Sequence, residues 1–245
     1  MKIIINPGHS LECKPDPGAA YFGFKEALEA MEIAKYVKSK LDNLNSGLDV
    51  EICQQSGGNN NANTQLNNLV SYVNKSKADL FLSIHLNAAT STAKGSETLY
   101  FNGSEKGLKF AKCIQNSLRT INSIPDRGVK ADTRGLAVLK RTNMPSCLTE
   151  VGFISNKDEA AFIHNNHNLI GEKLAQGIIN YLISQKLLTD NILITSNETK
   201  KAISLPKIVL DPTTDNKYDC IINDTLKLKN NSLNTCLEWI KKNYI

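Results

Sequence analysis

The chain has 245 residues, 41% of them hydrophobic, enough to bury a core without disulfides or an obligate partner. Its net charge of +5 is spread among 24 acidic residues, and no basic stripe interleaved with aromatics marks it as a nucleic-acid binder. Six cysteines, at positions 13, 53, 113, 147, 220 and 236, form no CxxC pair, which argues against a zinc knuckle or a dense disulfide framework.

The N-terminal segment MKIIINPGHS carries one lysine and three isoleucines before Asn6 and Pro7. That run is too short for a signal-peptide core or a membrane span, so the expectation is a product made in the cytoplasm without membrane insertion. Short apolar or β-branched runs at residues 2–6, 49–53, 79–85, 97–101 and 146–151 read as strands. Helical patterns at 24–42, 64–75, 105–120 and 169–186, with a shorter one at 157–164, lie between or after them. Such alternation predicts an α/β fold, a mostly parallel twisted sheet flanked by helices. On the first helix Phe24, Leu28, Met31, Ala34, Val37 and Leu41 form the apolar stripe, and Glu26 and Glu29 fall outside it. The segment QQSGGNNNAN at 54–63 reads as an exposed loop.

Composition changes after Lys186. The expected division is a catalytic domain over residues 1–186, a linker over 187–203 and a small α+β domain over 204–245. In that tail, strand-like runs at 207–210, 218–222 and 225–228 precede a helix opened by Ser232, with Leu233, Cys236, Leu237, Ile240 and Tyr244 on one face.

Three chemically potent side chains sit at comparable places: His9 after the first strand, His85 at the end of the third, and Glu150 at the end of the last. Residues at the carboxyl ends of parallel strands converge on one crevice. A hydrolytic zinc site needs three protein ligands and an open fourth position, and Glu26, in the first turn of the first helix, is a third ligand alongside His9 and His85. An unligated carboxylate is then required to move protons, and Glu150 fits that role because a carboxylate on a buried strand is costly unless paired. Asn87, two residues beyond His85, is the candidate substrate contact. His164 and His167, in HNNH, read as helix-capping or solvent-facing residues.

INPGHS at 5–10, GFKEALEAMEIA at 23–34, SIHLNA at 83–88 and LTEVGFISN at 148–156 resemble, in order and spacing, the zinc-dependent N-acetylmuramoyl-L-alanine amidases, amidase type 3. The resemblance covers about residues 1–185 and implies a Zn2+ ion on His9, Glu26 and His85, with Glu150 catalytic. Glu29 is the alternative ligand should the helix register differ by one turn. Family members commonly read DPGH where this chain has Asn6, and arginines usual after the second strand are replaced near Gln54, Gln55 and Asn68. The implied activity is hydrolysis of the amide between N-acetylmuramic acid and the L-alanine of the stem peptide, with cell-wall peptidoglycan as partner. Lack of a leader together with a small tail resembles a bacteriophage endolysin, made in the host cytoplasm and released to the wall through holin lesions. By position the tail is expected to bind wall or to form a homo-oligomer. The competing readings are another zinc-dependent wall peptidase or deacetylase and a catalytically inactive wall-binding protein.

Overall fold

The computed structural model describes residues 1–44, 47–56, 61–188, 208–212, 218–222 and 225–231. The chain divides into two compact units, Met1–Ile192 and Leu193–Ile245.

In the first unit, strands β1 (Lys2–Pro7), β4 (Asp49–Ile52), β5 (Leu80–Asn87), β6 (Ser96–Phe101), β7 (Asp126–Asp132) and β8 (Ser146–Phe153) form one sheet in the order β4-β1-β5-β8-β6-β7. β1 runs parallel to β4 and β5, and β5 parallel to β8. β6 reverses against β8 while remaining parallel to β7, so the sheet is mixed. A two-stranded ribbon, β2 (Ala20–Tyr21) with β3 (Phe24–Lys25), leads into α1 (Glu26–Asp42). The other helices are α2 (Ala62–Lys75), α3 (Glu105–Leu118), α4 (Ala137–Lys140), α5 (Lys157–Asn165) and α6 (His167–Ser184).

Strand alternation explains the layering. Ile4, Phe81, Leu99 and Leu148 point to one face and pack with Leu69 and Val73 of α2 and Val138 and Leu139 of α4. α6 packs against both α1 and α3, burying Ile33, Val37, Phe110, Ile114, Leu174 and Ile178. Among the described residues no helix is long and apolar enough to cross a membrane.

Two details of α1 differ from the sequence expectation. Leu28 is exposed, and the buried face is instead built from small residues, Ala27, Ala30 and Ala34, with Ile33, Val37 and Leu41. Small side chains allow a close approach that a stripe chosen by residue size does not anticipate. Glu26 and Glu29, expected outside the apolar stripe, are only 4% and 6% exposed. Each carboxylate accepts hydrogen bonds from two histidine rings, the condition under which a charge is buried without prohibitive cost. β7, the ribbon and α4 are additional elements. β7 has the sequence DRGVKAD, a polar edge strand with no apolar run to announce it.

The second unit contains strands β9 (Ile208–Pro212), β10 (Tyr218–Ile222) and β11 (Thr225–Asn231), an antiparallel sheet with β10 in the middle. The helix expected from Ser232, and nearly all of the expected linker, lie outside the described residues.

Candidate metal centre and active site

His9 follows Gly8 as β1 leaves the sheet, and its backbone takes the left-handed conformation, with φ at 65°. Outside glycine that region costs roughly 1 kcal/mol or more, so the surroundings hold the residue there. The backbone amide of Gly8 donates to the Ile84 carbonyl at 2.8 Å, which ties this turn to β5 one residue before His85. A Cβ on Gly8 would lie 2.5 Å from His85 Nε2, so the residue is glycine because the imidazole occupies that volume. Gly18 meets both needs at once. Its φ is +68°, and a Cβ there would sit 2.5 Å from the His9 ring and 2.6 Å from Glu26 Oε2.

Glu26, at the first position of α1, is the hub. Its Oε1 lies 2.9 Å from His9 Nε2 and 2.9 Å from His85 Nδ1, and accepts the Leu86 amide at 3.0 Å. Its Oε2 accepts the Ala19 amide at 2.9 Å. Burial alone would raise the carboxyl pKa, but the two imidazoles outweigh it and hold Glu26 well below the usual carboxylate range. Burial likewise disfavours charge on His9, and the carboxylates of Glu26 and Asp16 reverse that, lifting it to about 9. The structure thus brings His9, Glu26 and His85 together, the two rings 4.9 Å apart and edge-on.

Asp16 was not singled out from the sequence. Its Oδ2 sits 2.9 Å from His9 Nδ1 and orients the ring, while its Oδ1 accepts the Gly18 amide at 3.1 Å. Asn6, where the resemblance implies an acid, does different work: it accepts from Ser83 Oγ at 2.8 Å and donates to the Cys53 carbonyl at 2.8 Å, joining β1 to the middle of β5 and to the residue after β4. The carboxylate partner of His9 therefore comes from the loop before α1. The segment Pro-Asp-Pro-Gly at 15–18 was the available signal, a turn-forming run with one acid in it. On the side of the missing arginines, Gln54 donates to the Gly8 carbonyl at 3.3 Å and Gln55 pairs with Ser10. Both are used to hold the His9 loop.

Glu150 stands directly opposite His85 in the parallel β5–β8 pairing and opposite Glu97 in the antiparallel β8–β6 pairing. Its Oε2 is buried with no hydrogen-bond partner. Burial pushes the Glu150 carboxyl up to about 7; Glu26 and Glu97 add to the rise, and His85 and Arg134 oppose it. Asn87, at the end of β5, accepts the Ala88 amide through Oδ1 and directs Nδ2 toward Glu97 at 3.4 Å. Glu97 is anchored by Arg127 Nε at 2.7 Å and Lys130 Nζ at 2.6 Å.

Together His9, Glu26 and His85 form a donor set that could hold a metal ion. One atom each from His9, Glu26 and His85 lie within 4.8 Å of one another, two nitrogens and one oxygen, and a carboxylate oxygen without a partner is buried on the strand beside His85. Glu29 does not join this set. It lies three residues along α1 and is engaged by His164 and His167, which therefore neither cap a helix nor simply face water.

Comparison with known proteins agrees with this geometry. The family model for N-acetylmuramoyl-L-alanine amidase matches residues 3–180. An endolysin of Bacillus phage SPP1 is 35% identical over 192 residues, 75% of this chain and 67% of that protein. The N-acetylmuramoyl-L-alanine amidase LytC of Bacillus subtilis (strain 168) is 35% identical over 72% of this chain, which spans only 34% of that longer protein. Among solved structures, an N-acetylmuramoyl-L-alanine amidase from Clostridium difficile 630 superposes with a TM-score of 0.66 at 29% identity, covering 75% of this chain and 97% of that one. The catalytic domain of the CD27L endolysin targeting Clostridia difficile gives 0.65 at 28% identity, covering 74% and 97%. The chain belongs to the N-acetylmuramoyl-L-alanine amidase family of peptidoglycan hydrolases.

Proposed function

We propose that this chain is a zinc-dependent endolysin that hydrolyses the amide between the lactyl group of N-acetylmuramic acid and the L-alanine of the stem peptide. The observation that carries the reading is the pairing of a His-Glu-His donor set with an unpartnered, buried Glu150 oxygen on the neighbouring strand. The similarity to the SPP1 endolysin supports the phage assignment, with synthesis in the host cytoplasm and passage to the wall through holin lesions.

His9, Glu26 and His85 would hold the ion. When bound, zinc supplies Lewis acidity, polarising the scissile carbonyl and lowering the pKa of the attacking water to roughly 7. Glu150 accepts the proton of that water and delivers it to the departing alanine nitrogen. A carboxyl raised toward neutrality is suited to both halves of this transfer, since neither proton state is far away in energy. Asp16 fixes the tautomer and plane of His9. Asn87, at the strand end beside Glu97, contacts the substrate next to the cleaved bond. Residues 204–245 fall beyond the matched region and contain a sheet of their own, which supports a separate task, wall binding or self-association.

Digestion of purified peptidoglycan, with chelator and with zinc restored, followed by mass spectrometry of the new ends, tests the reaction. Zinc-dependent release of L-alanine amines with intact glycan chains is expected. New ends elsewhere in the stem peptide would assign a different bond to the same centre, and no zinc-dependent product from several walls would overturn the enzymatic reading.

A further inference from the structure

We propose that Glu29, His164 and His167 form a second site for a transition-metal dication of the zinc class, separate from the catalytic one. His167 Nε2 lies 2.6 Å from Glu29 Oε2, and His164 Nδ1 lies 3.2 Å from the same oxygen. One atom from each of the three residues falls within 4.8 Å of the others. This repeats the arrangement at Glu26, where two imidazoles from different elements also converge on a single carboxylate oxygen. Two nitrogens and one carboxylate oxygen form a donor set suited to zinc, while magnesium and calcium prefer oxygen throughout.

The alternative is a metal-free hydrogen-bonded triad, and three observations favour a metal. Two rings from different helices are directed at one oxygen of the buried carboxylate, the convergence a shared ion would require. Glu29 and His167 are largely covered, with side chains 8% and 14% exposed, whereas His164 is 48% exposed. The cluster is therefore rigid on its inner side and open on the outer one, which leaves room for water as a fourth ligand. His164 is also held in place, its ring stacked on Phe24 with centroids 4.5 Å apart. The three donors come from the start of α1, the last turn of α5 and the first residue of α6, and Asn166 breaks the helix between the two histidines. An ion here staples α1 to the α5–α6 junction one helical turn from Glu26. Its role is structural, holding the helix start that presents the catalytic ligand.

The test is zinc stoichiometry of the full chain after chelator stripping, measured by calorimetry and by metal analysis after dialysis. Wild type is expected to bind two ions. His164→Ala and His167→Ala should each keep one and weaken the other at least tenfold, His85→Ala should keep the second site, and His85→Ala with His167→Ala should keep neither. In wild type, the ring-nitrogen NMR signals of His164 and His167 should shift as zinc is added, a readout that needs no variant. One ion lost with His85→Ala, together with unmoved His164 and His167 signals, would overturn the second site and leave the catalytic one. One ion lost with His164→Ala but retained by His85→Ala would support the second site and remove the catalytic assignment instead.

Discussion

Glu150 sits where its charge is expensive, and that cost has a measurable sign. Its carboxyl is raised from 4.5 to about 7 in the folded, metal-free chain, so the folded state binds a proton that the unfolded state has already lost between those two pH values. The stability it contributes is fully present below about pH 4.5 and is lost as pH rises through 7. Glu150→Gln should therefore stabilise the metal-free protein by about 3 kcal/mol at pH 8 relative to its effect at pH 4, as read by denaturant titration at both pH values. The same substitution should retain zinc and lose turnover by a hundredfold or more, the usual scale for a proton-transfer residue. An unchanged rate would remove Glu150 from the mechanism. Gly8→Ala addresses the neighbouring strand end, since the added methyl must displace the His85 imidazole. We expect at least a tenfold loss of zinc affinity in a chelator competition while the far-ultraviolet circular dichroism is unchanged.

Among the elements, the end of β8 and the residue before β6 share one side-chain acceptor. Glu159 of α5 accepts the Phe153 amide at 2.5 Å and the Gly95 amide at 2.9 Å, tying the end of β8 to the start of β6. Glu159→Ala leaves both amides buried without a partner and should cost about 2–4 kcal/mol in thermal or chemical unfolding. A loss below 0.5 kcal/mol would mean that water replaces the carboxylate. Such long-range ties explain what the sequence could and could not convey. Strands β1, β5 and β8 were legible because they are buried and read as apolar runs, and with them the places of His9, His85 and Glu150. Edge strand β7 was not, because an exposed edge carries no apolar pattern. Burial of Glu26 and Glu29 was hidden for a different reason: apart from His9, which precedes Glu26 in a loop, their histidine partners lie 59 and 135 or more residues away. No local periodicity reports such a partner, and the small-residue face of α1 has a meaning only against the surface it meets.

At the scale of the whole molecule, residues 1–192 and 193–245 form separate units, and the family match stops at residue 180. A chain ending at Ile192 should keep the thermal midpoint of the first unit to within a few degrees and should still cleave soluble muropeptides. If the tail binds wall, the shortened chain should sediment less with intact walls than the full chain does. Equal sedimentation, with a change in oligomeric state by light scattering, would assign the tail to self-association.

The Ala19 amide donates to Glu26 Oε2, while the two imidazoles face Oε1. Oε1 also accepts the Leu86 amide, so both oxygens are tied to the backbone and the carboxylate is held in one plane, presenting to an ion the oxygen that the two rings share; the three residues would then supply three donor atoms. Coordination number then becomes a selection rule. Ions content with four ligands, zinc and cobalt, would be favoured over those that require six or more oxygens.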